Sequence, residues 1–322
     1  MIQINKMNDV ACMLNLDGVI IMKHKPIYVE IPIDAEMDEL WEATQNPKLH
    51  EQWDLRFSSI KYKPKREGEP QLFDYKTNIG FGLEIEGWGK SVGSYHAEDG
   101  SRTSSLHFGT EQAISIIREG RGYWKYIPEG QQSIKFLTQY NYKTSFGKLG
   151  SLFDAIIFRP MIGWGTALSF DVLKRWLEKG ETPASQYIRF FSTGVLTVFF
   201  MFLWIYHGLI PKLIFMYPDE VTMLTNTLPI TYSQGVGVVY IAGILEVVFG
   251  VLWIFYRRKR HLFGIQVILF PILTIGAIIA EPEHIIQPFN PLTFNIALFV
   301  LSILGLLLSN DVPTSRNCKR KR

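Results

Sequence analysis

Glu246 is the ionisable residue that most needs an explanation. It lies in the middle of an apolar run from about Gly235 to Tyr256, with Gly243 and Gly250 on either side. A charged side chain at mid-bilayer depth costs about 3 kcal/mol on insertion scales. Such a residue serves as a proton-responsive group or bonds a quinone-like head. Alternatively it is interhelical glue, satisfied by Asn295, Gln266 or Ser302 on neighbouring runs. His207 and Lys212 end the preceding apolar run. Lys212 reads as an anchor whose stem lies in the apolar layer while its ammonium reaches water. His207 would meet Glu246 only if Glu246 lay higher in its helix. His207 and His284 are too few to hold a metal, and no metal site is expected.

Four apolar runs position these groups. They cover about Phe190–Ile210, Gly235–Tyr256, Leu262–Ala280 and Pro291–Ser309. Each approaches the roughly 20 residues that cross a bilayer core. Charges fall in the connections. Lys174, Arg175, Lys179 and Arg189 flank the first run, Arg257 to Arg260 separate the second and third, and Arg316 and Lys319 to Arg322 follow the fourth. The other two connections carry Asp219, Glu220, Glu281 and Glu283. Basic segments stay on the cytoplasmic side, so a multi-pass cell-membrane protein with both termini cytoplasmic is expected.

The chain of 322 residues is long enough for two domains. Its net charge of +3 is small, and no basic stripe interleaves with aromatics, which argues against nucleic acid as a partner. Cys12 and Cys318 would both face a reducing compartment, which disfavours a disulfide. The chain shows no nucleophile elbow, P-loop or dinucleotide fingerprint, so no catalytic residue is assigned and binding is favoured over catalysis. The expected organisation is a poorly ordered leader over 1–26, with Met22 an alternative start. A cytosolic domain over 27–180, a linker over 181–186, a membrane domain over 187–310 and a basic cytoplasmic tail over 311–322 follow.

The cytosolic half begins with Ile27, Val29, Ile31 and Ile33 alternating with polar residues, a half-buried strand. Pro32 places it at an edge or near its end. Asp34 is expected to cap a short helix, and Asn46-Pro47 separates it from a second. About six strands follow, with a hairpin at Asp99-Gly100 and the strongest alternation over Ser133–Thr144. Helical spacing then runs from Ser151, the expected cap, to Lys179, with a bend or break predicted at Pro160 and the Gly163/Gly165 pair. Trp53, Phe81, Phe136, Tyr140 and Trp164 are candidates to line a ligand cavity, though aromatics on such positions more commonly fill a core.

The order of strand, two short helices, antiparallel strands and long helix resembles the START-like superfamily also called SRPBCC. The strings His50 to Phe57 (HEQWDLRF), Asn78 to Gly82 (NIGFG), Gly122 to Tyr126 (GYWKY) and Phe158 to Trp164 (FRPMIGW) also look like bacterial SRPBCC proteins. The second half, with Tyr206 to Lys212 (YHGLIPK), Glu246 between glycines and Pro288 to Pro291 (PFNP), resembles DoxX-like four-helix membrane proteins. The resemblances imply an α+β helix-grip domain, a curved antiparallel sheet with a long C-terminal helix, joined to an all-α four-helix transmembrane bundle. They imply a membrane-anchored protein whose cytosolic cavity takes a hydrophobic small molecule or lipid. The alternatives are a membrane subunit of a quinone-linked oxidoreductase, which would need a redox partner subunit, and a structural or regulatory protein. No cofactor is evident beyond that quinone. Glu246, His207, Lys212 and Asn295 are the intramembrane polar candidates.

Overall fold

The computed structural model describes residues 25–321 apart from 67, 81, 131 and 289. Residues 1–24 of the expected leader, and Phe81, lie outside the described residues. The chain divides into two compact units. One reaches Ala167 and takes in the C-terminal residues from Cys318; the other runs from Leu168 to Asn317.

The first unit opens with β1 (Ile27–Asp34), whose four isoleucine and valine side chains face inward and are nearly or fully buried. Helices α1 (Met37–Gln45) and α2 (Pro47–Trp53) follow. Glu36, not Asp34, occupies the cap position of α1, because Asp34 is still in register with Ser133 on the neighbouring strand. Asn46 caps α2 by accepting from the Lys48 amide. The strands β2 (Ser59–Tyr62), β3 (Leu72–Gly80), β4 (Leu83–His96), β5 (Arg102–Gly109), β6 (Ile117–Glu129) and β7 (Ser133–Thr144) are joined as an antiparallel meander. Register shifts at Asn78/Gly80, Ser91/Gly93 and Ile117/Glu119 bend the strands, which curves the sheet. The expected hairpin turns at Gly100, which takes a positive φ, and the Asp99 carboxylate accepts from the Ser101 amide.

The sheet does not end at β1. Its order is β2-β3-β4-β5-β6-β7-β1-β8, where β8 is Lys319–Lys321. The residues expected to form a free basic tail therefore include an edge strand. Lys319 pairs with Glu30 at 2.9 Å, and the Lys321 ammonium sits over the Tyr28 ring. Strand β8 covers only Tyr28 to Glu30, so Pro32 lies beyond it, on an edge where its missing N–H costs no ladder bond.

The helical stretch starts at Gly147, four residues before the expected cap Ser151: α3 (Gly147–Phe153), a π-helical segment (Asp154–Phe158) and α4 (Arg159–Lys179) are continuous. The irregularity is this π segment, just before Pro160; α4 then runs unbroken through Pro160, Gly163 and Gly165, the place of the expected bend or break. Asp154 is buried in the π segment and accepts from the Tyr142 hydroxyl at 2.6 Å and from Arg159 Nε at 2.9 Å. Tyr140 and Thr166 share a hydroxyl bond of 2.9 Å, which fixes the first half of α4 against β7.

The second unit holds α5 (Pro183–His207), a π-helical segment (Gly208–Ile214), the short α6 (Pro218–Thr227), α7 (Tyr232–Phe255), α8 (Lys259–Ala280) and α9 (Pro291–Leu308). Pro183 starts α5 within the stretch expected as linker, as suits proline at a first helical position. Phe200, Trp253, Phe263 and Phe270 build its core, with Phe200 and Trp253 rings stacked at 5.6 Å. The outward faces are apolar as well; α7 exposes Tyr240, Ile241, Ile244, Leu245 and Val248. Apolar residues all round a helix suit a lipid surround.

Among the described residues, five helices are long and apolar enough to cross a membrane, one more than the sequence reading named. The additional one is Gly147–Lys179. Half of its most apolar window is buried inside the protein, against 17–22% for the other four. Buried polar groups also tie it down: Asp171 accepts from Arg175, from the Thr314 amide and from Asn317. Its later part is packed, with Ala167, Leu168, Phe170, Val172 and Leu173 buried, whereas Leu149, Leu152, Ile156 and Ile157 before it are exposed.

Candidate ligand-binding site

The close approach of α5 and α7 begins with glycine. A Cβ on Gly208 would lie 2.5 Å from the Gly243 carbonyl oxygen, and one on Gly243 would lie 2.9 Å from the Gly208 carbonyl oxygen and from Lys212 Cβ. Only hydrogen fits on both sides. The backbone then widens into the π segment around Pro211, a geometry common at functional sites. Together these features turn Lys212 inward. It is buried, with Nζ 3.1 Å from Glu246 Oε2 and 3.3 Å from Glu220 Oε1. Glu220 comes from the first turn of α6.

This ion-paired group forms one wall of a cavity of about 770 Å³ within the second unit. Leu203, Trp204, Phe270, Leu273 and Leu298 give it an apolar side. His207, Asn290 and Asn295 add polar groups, and Asp219 and Glu281 also line it. The His207 ring lies 5.8 Å from that of Phe294. Trp204 is 6% exposed, and its indole N–H has no hydrogen-bond partner. A buried donor left unmade costs about 1–3 kcal/mol, so an acceptor at this position would be stabilising.

The four intramembrane candidates Glu246, His207, Lys212 and Asn295 thus line a single cavity. Lys212 does not reach outward as an anchor. Two of the three partners foreseen for Glu246 are placed otherwise: Ser302 Oγ is 3.4 Å from Gln266 Oε1, and both residues are fully buried. Sequence reasoning missed Glu220, which it left in a connection, and Trp204, which it left in an apolar run. The polar tip of an indole inside a span was the available signal for the latter.

In the sheet unit the candidates are placed among other side chains. Trp53 and Phe136 are fully buried. Trp53 stacks on His50 at 5.1 Å, and both Trp53 and Phe136 contact the Trp124 ring. Tyr140 lies under the Arg56 guanidinium at 5.5 Å. Trp164 is partly exposed. Beside them Asp54 is buried and accepts from Arg56 Nε at 2.9 Å and Nη2 at 2.6 Å, with His50 Nε2 at 3.0 Å. Burial alone would raise its pKa. The Arg56 charge and the hydrogen bonds from Arg56 and His50 outweigh burial and hold the carboxyl well below the usual range. Among the described residues no group of three or more His, Cys, Asp or Glu is placed to hold a metal ion.

Comparison with known proteins sorts the two halves. Residues 201–303 match the DoxX-like family. The STAR-related lipid transfer protein of Xanthomonas axonopodis (fragment 25-204) aligns over 47% of this chain and 84% of its own, with 13% identity and a TM-score of 0.37. Human StAR-related lipid transfer protein 5 aligns over 47% and 74%, with 10% identity and a TM-score of 0.35. The apolar helices that follow the sheet are long enough to cross a membrane. Over 306 residues the chain is 37% identical to the uncharacterized membrane protein YndG of Bacillus subtilis (strain 168), covering 94% of this chain and 99% of that one. Identity at that level, carried through both the sheet and the bundle, means that the chain belongs to the YndG family of membrane proteins.

Proposed function

We propose that the protein is a membrane-embedded binding protein whose helical bundle holds an amphipathic lipophile. One observation carries this reading: a cavity of about 770 Å³, largely apolar, borders a buried lysine held between two carboxylates. Small-molecule sites have volumes of about 300–1,000 Å³, mostly apolar with a few placed polar groups. The apolar wall takes the ligand's hydrocarbon part. The Lys212–Glu220–Glu246 group and Trp204 Nε1 orient its head. The packing of Trp53 and Phe136 against neighbouring rings favours the bundle over the sheet unit as the ligand's place.

Mass spectrometry of small molecules retained by the full-length protein in mild detergent tests this. One lipophile class is expected with the wild type and lost from Ala242→Phe and Ala277→Phe, which fill the cavity. Nothing retained, or retention unchanged in both variants, would remove the bundle site. A quinone lost from both variants would support the site and revive the quinone-linked oxidoreductase reading.

The sidedness follows from the same chain path. The polypeptide leaves the sheet unit after Ala167 and rejoins it at Cys318, so the spans between must be even in number. With the basic connections inside, this reading has both ends in the cytosol. Reporter fusions at the two connections around α6 and around residues 282–286 should read as external; a cytosolic signal there would reverse the assignment.

A further inference from the structure

We infer that the outward face of the helix after β7 docks on a lipid surface, an inference independent of the bundle cavity. Helical spacing builds this face. Leu149, Leu152, Phe153, Ile156 and Ile157 recur at intervals of three and four, so they form one stripe across α3 and the π segment. All five are exposed, Leu149 at 80% and Ile156 at 66%. Away from the stripe, Asp154 is fully buried and bonded to the Tyr142 hydroxyl and Arg159. Arg159 in turn donates to Asn141 Oδ1 at 3.1 Å and to the Lys25 carbonyl at 2.9 Å. The usual amphipathic order is inverted. A helix that packs on a sheet in water turns its apolar stripe inward and its polar groups outward. This one holds its polar groups against the sheet and offers leucine, isoleucine and phenylalanine to the outside. Contiguous exposed apolar faces of this kind mark contacts with proteins or membranes.

The neighbouring residues favour lipid as the occupant. Within 143–164 the exposed charged residues are Lys143 and Lys148, both basic. Lys143 is 3.6 Å from Glu119 and its side chain remains largely in solvent. Basic residues beside an apolar helix face are drawn to anionic headgroups. Trp164, partly exposed two turns beyond Ile157, is of the residue type that collects at headgroup level. The chain also enters α5, long and apolar enough to cross a membrane, only three residues after α4 ends. The helix is therefore tethered to a bilayer. Asp154 and Arg159 hold it to the sheet, so it rests on the lipid surface and does not cross it.

The test uses the full chain in vesicles of phosphatidylcholine and phosphatidylglycerol at high lipid excess. In a Cys12→Ser, Cys318→Ser background, one cysteine is introduced by Leu152→Cys, Ile156→Cys or Glu98→Cys and labelled with nitrobenzoxadiazole. Glu98 is the control, exposed in the β4–β5 turn at the opposite end of the sheet. Nitroxide-bearing lipids quench the label on contact. Quenching at Leu152→Cys and Ile156→Cys should exceed that at Glu98→Cys about twofold or more, and shallow nitroxides should quench more than deep ones, as a face sunk about 5–10 Å into the interface requires. Quenching no greater than at Glu98→Cys overturns the proposal. A label shielded from water but not quenched by lipid also overturns it, by assigning the stripe to a second copy or to residues 1–24; a chain started at Met22 then tells these two apart. Stronger quenching by deep nitroxides overturns surface docking in favour of a span. A label-free measurement accompanies these. Leu152→Glu with Ile156→Glu alters only exposed positions, and should speed hydrogen exchange over 147–158 severalfold in the vesicles while β7 stays unchanged. Exchange unaltered by the pair would count against docking.

Discussion

Two buried ionic clusters stand in different solvents and do different things. In the sheet unit Asp54 is enclosed by Arg56 and His50, and its oxygens also accept from the Arg56 amide. Rings of Trp53, Phe57 and Trp124 close around His50. In the bundle Lys212 meets Glu220 and Glu246 at longer distances, beside a cavity and near a tryptophan whose donor is unmet. The chemistry is the same: a cation, one or more carboxylates and a histidine nearby. The difference is completeness. A cluster whose members satisfy one another is architecture; one that borders open space has capacity left for a ligand.

The larger effect is expected where the cluster is closed. Asp54→Asn leaves the Arg56 guanidinium largely buried without its counter-charge, and breaking a buried pair from one side costs about 3–5 kcal/mol. Acid should do the same. The folded-state pKa of Asp54 is depressed, so its contribution is complete above the ordinary carboxylate value of about 3.9 and disappears as pH falls through the lower folded value. Denaturant unfolding followed by tryptophan emission, with wild type and variant compared from neutral to acid pH, measures both. The wild type should approach the variant at low pH. A loss below about 1 kcal/mol, or a gap that persists unchanged into strong acid, would mean that Asp54 is not the keystone of this cluster.

The sequence made the elements legible where length and period sufficed. The inward face of β1 and the four apolar runs are each local patterns, and α5, α7, α8 and α9 include nearly all of those runs. Legibility failed where one residue type serves two physical ends. Lys319 to Lys321 read as a topology signal because charge alone says nothing of strand pairing; Glu30 and Tyr28, nearly 300 positions earlier, supply the reason for it. Lys212 read as an interfacial anchor because a lysine near a helix end usually is one. Its inward turn depends on the π segment and on glycine 31 positions away. Trp53 and Phe136 were recognisable as buried rings, but whether a ring faces a neighbour or a void is decided by tertiary packing.

Gly243→Ala sharpens the comparison at the open cluster with a smaller change in stability. The added methyl would sit 2.9 Å from the Gly208 carbonyl oxygen and from Lys212 Cβ, so the two segments must separate. Overpacking of this kind costs about 1–3 kcal/mol. Alanine in place of glycine inside a helix returns up to about 1 kcal/mol. The net loss should therefore be about 0–3 kcal/mol, at or below the lower end expected for Asp54→Asn. The effect on the site should be disproportionate, because the same separation moves Lys212 away from Glu246. Gly237→Ala is the control: it lies on the same helix, and a Cβ there meets nothing within 4 Å. It should gain the helix term and keep the ligand. Thermal unfolding of both variants, paired with the retained-lipophile measurement, separates packing from binding. If Gly243→Ala holds its ligand as well as Gly237→Ala does, the Lys212–Glu246 pair is a structural contact like that of Asp54, and the contrast between the two clusters disappears.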